Sequence, residues 1–148
     1  MSMSRVLPDP STLPPSPLQE VKGLRYFPRM TAKIRLQAQG RLWSELHDNL
    51  GKGSDGKLCD FMQVDYAALA EQVRAGLSDE QALQWCAQHG RALTDMDVYL
   101  WNHLVMTLGI ADEVTPILKR RKEESGLAHR DDIISIAHYI DVDEGRLP

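Results

Sequence analysis

Three successive pairs of helix-start and helix-stop signals in the middle of the sequence restrict the fold more than any other feature. Each pair combines a side chain that can cap the first turn of a helix with a glycine that can end the helix. Two of the starts also have capping-box spacing, in which a polar side chain three residues on reaches back to the cap. The pairs are Asp65 with Gly76, Ser78 and Gln81 with Gly90, and Thr94 and Asp97 with Gly109. They predict three consecutive helices joined by short turns.

Helices are also predicted on both sides of this block. Pro28 fits the first turn of a helix that Gly40 would stop. Asp131 can cap a last helix near the C-terminus. The apolar residues at helical spacing predict its buried side, formed by Ile133, Ile134, Ala137 and Ile140.

The remaining segments complete an all-helical pattern. A further helix is expected over about 113–125, capped by either Asp112 or Thr115. Residues 51–57, GKGSDGK, predict a loop, because three glycines and no apolar side chain lie in this stretch. No segment alternates apolar and polar residues long enough to predict a half-buried strand. The sequence therefore predicts an all-α, single-domain bundle of about five to six helices.

Proline distribution divides the chain into an arm and a domain. Residues 1–17 contain five of the eight prolines, which predicts an extended or disordered arm. Residues 18–148 then form one helical domain, a length typical of a single core. No apolar run is long enough to span a membrane, and the N-terminus lacks the apolar core of a secretory signal. We expect a cytoplasmic protein that does not contact a membrane.

Cofactor and metal motifs do not stand out. Cys59 and Cys86 lack metal-site spacing, so we expect two buried thiols. The 51–57 loop resembles a phosphate-binding motif, but Leu58 stands where a hydroxyl must reach magnesium. Near the C-terminus, His138 lies among acids, yet one histidine with flanking carboxylates is more typical of a solvated helix end. We therefore predict neither a metal nor a cofactor.

A basic segment interrupts a chain whose formal net charge is −4. Residues 21–44 carry six cations and no acid, so the rest of the chain carries −10. At helical spacing Arg25, Arg29 and Lys33 share one side, and Arg35 lies close by. The overall negative charge disfavours nucleic acid as a partner. The run Lys119–Lys122 is followed by two glutamates and is interpreted as a solvated face.

Three partners fit the basic side: a small anion, an acidic protein surface, or the chain's own acidic C-terminus. We favour the last, because Asp141, Asp143 and Glu144 supply the required charge.

The segment 98–108 is apolar around almost its whole circumference, which predicts the central helix of the bundle around Trp101. Its polar exceptions are Asn102, His103 and Thr107. In one interpretation they tie this helix to its neighbours, since most buried polar groups are structural. In the other they form the polar floor of a pocket, with His47 or His138 as an acid/base partner.

A set of short motifs, in this order along the chain, resembles the DUF5069 family, a small bacterial family. The motifs are Pro15-Ser16-Pro17, Gly23-Leu24, Pro28-Arg29 with Lys33 and Arg35, Asp60-Phe61, Val64-Asp65, Gly76, Ser78-Asp79-Glu80, Trp85, Asp141 and Asp143-Glu144-Gly145-Arg146. The chain departs from the family pattern at Thr31-Ala32, where an acid is expected. The resemblance implies a helical domain without an established activity, and it is compatible with packing of the two oppositely charged regions.

The leading interpretation is a non-enzymatic helical interaction module that contacts a protein or a small anion through Arg25, Arg29, Lys33 and Arg35. The alternative is a small-molecule enzyme with catalytic candidates Asn102, His103 and His138 in the bundle core.

Overall fold

A computed structural model describes residues 5–148 of the chain and confirms the all-helical fold class. This part of the chain contains seven α-helices and one two-stranded sheet. The elements are β1 (Glu20–Val21), β2 (Leu24–Arg25), α1 (Phe27–Ala38), α2 (Ser54–Met62), α3 (Tyr66–Arg74), α4 (Asp79–His89), α5 (Asp95–Thr107), α6 (Thr115–Glu124) and α7 (Ile136–Asp143). Two 3-10 helices, at Pro10–Thr12 and Ser44–Asn49, complete the description.

The predicted caps of the middle block are confirmed. The Asp65 side chain accepts a hydrogen bond from the backbone N–H of Ala68 at the start of α3. Capping boxes open the next two helices, with Ser78 and Gln81 at α4 and Thr94 and Asp97 at α5. These signals act within one helical turn, which is why the sequence alone reveals them.

Three helices begin differently from the prediction. The N-cap of α6 is Val114, which makes no side-chain capping bond, instead of Asp112 or Thr115. The cap of α7 is Ser135, whose hydroxyl accepts from the His138 backbone N–H, whereas Asp131 lies outside the helix. Ile134 consequently remains 56% exposed instead of joining the buried side. Helix α2 starts at Ser54, inside the glycine-rich stretch that was predicted to be a loop. Asp55 anchors this turn, because its buried carboxylate accepts from the Gly51 backbone N–H at 3.0 Å.

A short hairpin precedes α1 and was not predicted. Its two strands pair antiparallel through a turn at Lys22 and Gly23, both of which have positive φ. This combination of φ values fits a two-residue hairpin turn. Because each strand has two residues, no alternating pattern is long enough to be read from the sequence.

The centre of the bundle is α1, so the prediction of a central helix at 98–108 is wrong. Phe27, Met30 and Ile34 are at most 1% exposed, and Arg29 and Lys33 on the other side are 2% and 3% exposed. Helix α1 packs against α3, α4 and β1. The sequence did not predict this central position, because a helix side that carries several cations normally faces solvent.

Helix α5 instead lies at the periphery. Trp101 and Val105 face inward, and the Trp101 indole N–H donates to the Arg25 carbonyl at 2.9 Å. On the opposite side Tyr99 and Leu100 are more than half exposed. The helix is apolar around its circumference without being enclosed by the protein.

The buried apolar residues form two clusters. The larger cluster joins the hairpin to α1–α5, and the smaller one is formed by α6, α7 and the residues between them. Two residues of the N-terminal segment, Pro14 and Pro17, are among the fully buried side chains. The segment 13–17 is therefore part of the packed structure.

Candidate functional site

Arg29 on α1 forms a buried bidentate ion pair with Glu144, directly after α7. Its two terminal nitrogens lie 2.9 and 2.6 Å from the Glu144 carboxylate oxygens, and both side chains are at most 3% exposed. Arg29 also donates to the Pro15 carbonyl at 3.0 Å. Burial opposes the charge of Arg29, but the hydrogen bonds and charge of Glu144 raise its pKa above the usual value. The favoured pairing of the basic side with the acidic C-terminus is present in the structure.

Residues 14–16 and the segment after α7 are joined to this ion pair through further polar and charged groups. Arg146 donates to Glu144 at 2.7 Å and to Asp141 at 3.0 Å, and it also contacts the Pro14 carbonyl. Asp141 in turn accepts from the Ser16 hydroxyl at 2.8 Å. We call Arg29, Glu144, Arg146 and Asp141 the terminal ion cluster. Asp143, the third predicted acid, instead pairs with Arg5.

Lys33 belongs to a second buried cluster. Its ammonium lies 2.8 Å from the Asp55 carboxylate and 3.1 Å from the Tyr26 hydroxyl, which itself donates to Asp55 at 2.6 Å. Burial lowers the pKa of Lys33, and the charge of Asp55 partly offsets this effect. Burial and Asp55 together raise the pKa of Tyr26 well above its usual value. The cavity beside Tyr26 has room for about one water.

The other two predicted ligand-binding residues are also paired within the protein. Arg35 lies 2.8 Å from Asp79 and donates to the Leu77 carbonyl at 3.0 Å. Arg25 lies 3.4 Å from Glu20 across the hairpin. Arg29 and Lys33 are buried and Arg25 and Arg35 are half-buried, so the four cations do not form an exposed basic surface. Ligand binding by these residues stays a prediction.

The catalytic candidates do not share one pocket. Asn102 accepts from the Arg25 N–H at 3.0 Å and donates to the Gly23 carbonyl at 2.8 Å, so it ties α5 to the hairpin. His103 is exposed and packs against Tyr99, with ring centroids 4.5 Å apart, rather than lying in the core. Half-buried His138 lies on α7, and exposed His47 contacts the Leu42 carbonyl. Their proposed catalytic role remains untested.

The two cysteines are buried, as expected from the sequence. Burial raises the pKa of each thiol to about 12, so neither Cys59 nor Cys86 is an activated nucleophile.

A surface cleft that the sequence did not reveal lies between α6 and the segment leading to α7. It has a volume of about 420 Å³. Leu118 and Ile133 form its buried apolar floor, and Ile110 and Ile134 line it as exposed apolar groups. Polar side chains line the remainder: Thr115, Lys119, Lys122, Glu123 and Asp131. We call this feature the α6 cleft.

Several local contacts fix the shape of the α6 cleft. The Lys122 ammonium donates to the Ile133 carbonyl at 3.2 Å and thus links the helix to the opposite wall. At the entry to α6, Asp112 accepts from the Gly109 and Val114 N–H groups. The Gly109 and Val114 bonds lower the pKa of Asp112. The sequence contained part of the information that locates this cleft, because Lys119 and Lys122 of the cation run line it. The opposite wall was missed because Ile134 was predicted to lie on the buried side of the last helix.

Fold and site together define a single-domain, mostly helical protein with a buried ionic interior and an amphipathic surface cleft. The chain belongs to the DUF5069 family: the family model, described as a domain of unknown function, matches residues 11–146. A comparison with curated proteins finds no match.

Within residues 5–148 no helix is long and apolar enough to cross a membrane. The same residues contain no group of three His, Cys, Asp or Glu side chains placed to hold a metal ion. The cytoplasmic location stays a prediction.

Proposed function

We propose that this protein is a non-enzymatic binding module that takes a small amphipathic anion in the α6 cleft. The observation that carries the proposal is the combination of an apolar floor with two lysines at one opening. A volume of about 420 Å³ falls within the range of roughly 300–1,000 Å³ that is typical of small-molecule sites. The apolar part of the ligand would cover Leu118 and Ile133.

The charges favour an anionic head group. Lys119 and Lys122 are three residues apart and therefore share one side of α6. Among the described residues, no carboxylate lies within ion-pair distance of either ammonium, although Glu123 and Asp131 also line the cleft. A carboxylate or phosphate monoester would supply the missing counter-charge for Lys119 and Lys122. A neutral ligand would gain the apolar contact alone.

This proposal retains the sequence-based interaction module but moves its contact surface. Arg29 and Lys33 are enclosed and paired with Glu144 and Asp55, so an external anion would have to displace a buried carboxylate. Such displacement would leave a charge unpaired in the interior, which is costly. The enzyme alternative has less support, because Asn102 is engaged by the hairpin and His103 points to solvent.

Calorimetric titration with three probes of equal chain length tests the head-group preference. We expect octanoate to bind, and octanol to bind at least about tenfold more weakly because it lacks the charge that pairs with the two lysines. Octylamine should bind more weakly still, because its positive charge is repelled by them. A tenfold difference in affinity corresponds to about 1.4 kcal/mol. Equal affinities for octanoate and octylamine, or no binding of any probe, would contradict the proposal.

Two neighbouring cations of α6 provide a matched pair of variants. Lys119 lines the cleft, whereas Arg120 lies outside it and contacts Glu124. We expect Lys119→Glu to weaken octanoate binding at least about tenfold and Arg120→Glu to leave it nearly unchanged. Chemical-shift changes in an NMR titration should map to residues 109–134. A map centred on α1 would support the original basic side instead.

A further inference from the structure

Arg5 joins the ends of α6 and α7. Its Nε donates to the carbonyl of Ser125, directly after α6, at 2.8 Å. Its Nη2 pairs with the carboxylate of Asp143, the last residue of α7. The Arg5 and Asp143 side chains are 27% and 15% exposed, so the pair is better shielded from solvent than an ordinary surface ion pair. We call Arg5, Ser125 and Asp143 the Arg5 bridge.

Helix α6 has few other attachments to the bundle. Among the described helices and strands, α7 is its main neighbour. Of the residues Thr115–Glu124, Leu118 alone is buried. Arg121 contacts the Asn49 side chain at 3.4 Å, and its carbonyl accepts from the Tyr139 hydroxyl at 3.3 Å. A helix with so few buried contacts belongs to the parts of a fold that open most readily. The contacts at its ends therefore have a large influence on its position.

The residues at both ends of α6 suit hinges. Gly109 and Ala111 precede the helix with φ of 101° and 51°, and Gly126 follows it with φ of 72°. Glycine adopts positive and negative φ with similar ease, and hinges are short segments at the ends of elements that absorb such changes. Rotation of α6 about these ends would separate Leu118 from Ile133, which together form the floor of the α6 cleft.

We propose that the Arg5 bridge sets the affinity of the α6 cleft by holding α6 in the position that binds ligand. This inference rests on the proposed function of the cleft. While the bridge is closed, α6 stays against α7 and the apolar floor is preformed. When the bridge is open, the floor is assembled in only a fraction of the molecules, and the apparent affinity falls by that fraction. Linkage requires the reverse effect as well, so a ligand in the cleft favours the closed bridge.

Hydrogen exchange of the ligand-free protein tests the bridge by itself. We expect Arg5→Gln to accelerate exchange of the α6 amides at least about tenfold, while the amides of α3 keep their wild-type rates. Arg41→Gln is the matched control, because Arg41 also donates to a backbone carbonyl, that of Ser11 at 3.2 Å, but contacts neither α6 nor α7. It should leave the exchange of α6 unchanged. Wild-type exchange of α6 in Arg5→Gln would overturn the proposal.

Calorimetric titration with octanoate tests the coupling between the bridge and the cleft. Arg5→Gln should bind octanoate at least about threefold more weakly than the wild type. Arg41→Gln loses the same charge and should bind it as tightly as the wild type. Asp143→Ala opens the bridge from the other side, so it should weaken binding by a similar factor and add little to Arg5→Gln.

The two ways in which this experiment can fail are distinguishable. Normal binding of octanoate by the wild type with unchanged affinity in Arg5→Gln would overturn the role of the bridge and leave the proposed function intact. Absence of octanoate binding by the wild type would contradict the proposed function itself.

Discussion

At the scale of single residues, the main feature is that α1 places full charges in the interior. Arg29 and Glu144 are each at most 3% exposed and satisfy each other through two hydrogen bonds. A buried pair of this kind adds little net stability relative to apolar residues, but removal of one member is costly because the other charge stays buried. The pair therefore restricts which segments can occupy the position beside α1 more than it strengthens the fold.

Replacing one member of the pair should show this asymmetry. We expect Arg29→Met to lower the free energy of unfolding by about 3–5 kcal/mol, because Glu144 then loses its main partner in the interior. The double variant Arg29→Met with Glu144→Met should recover a substantial part of that loss. Urea unfolding of the two single variants and the double variant measures the coupling, which should exceed about 1 kcal/mol.

The adjacent acid provides the control for this cycle. Asp143 pairs with Arg5 instead of Arg29, so Arg29→Met and Asp143→Asn should have additive effects within about 0.5 kcal/mol. Coupling of Arg29 to Asp143 as strong as its coupling to Glu144 would contradict the assigned pairing.

The sequence predicted this region in part. Charge counting identified a basic segment and an acidic C-terminus that could pair. The choice of Glu144 over Asp143 depends on which side of the chain faces α1 after α7 ends, and helical spacing does not determine that. The burial of the pair depends on Pro14, Pro15 and Arg146, which are far from Arg29 in sequence. Because these covering residues are distant in sequence, no local pattern around Arg29 predicts that the ion pair is buried.

At the scale of elements, α5 shows how one helix can be apolar on both sides for different reasons. Its inward side packs against the hairpin and α7, while Met96, Tyr99 and Leu100 on the opposite side are more than half exposed. Apolar periodicity alone does not distinguish burial inside a chain from burial against another molecule. The caps of α3, α4 and α5 were predicted correctly because their signals are local, whereas the depth of a helix depends on elements that pack against it from elsewhere in the chain.

Substitution of two neighbouring residues of α5 should change the free energy of unfolding by very different amounts. Asn102→Ala removes an acceptor for the Arg25 N–H and a donor for the Gly23 carbonyl, so we expect a loss of about 1–3 kcal/mol in the free energy of unfolding. His103→Phe should change that free energy by less than about 0.5 kcal/mol, because His103 is exposed. Thermal or urea unfolding of the two variants measures both changes. A large loss for His103→Phe with none for Asn102→Ala would contradict the assigned position of α5.

At the scale of the whole molecule, the N-terminal segment connects the two hydrophobic clusters. The terminal ion cluster brings residues 14–16 together with α1 and the end of α7. Pro17 lines the small cavity between α5 and α7, and Pro14 is fully buried beside the cluster. Composition suggested an arm apart from the domain because proline and serine are common in flexible segments. In the structure the same prolines suit an extended segment that lies against the bundle without needing backbone donors.

Truncation should therefore destabilise the whole bundle. We expect a chain beginning at residue 18 to lose at least about 3 kcal/mol of unfolding free energy, from the exposed surface left by Pro14 and Pro17 and from lost acceptors of Arg29 and Arg146. A chain beginning at residue 10 keeps these contacts and loses those of Arg5, so it should be affected less. Urea unfolding followed by circular dichroism gives both values. Because the segment touches both clusters, the longer truncation should also lower the stability of α6 and α7, which hydrogen exchange would detect as faster exchange there. Equal stability of the full chain and the chain beginning at residue 18 would show that the bundle does not depend on residues 13–17.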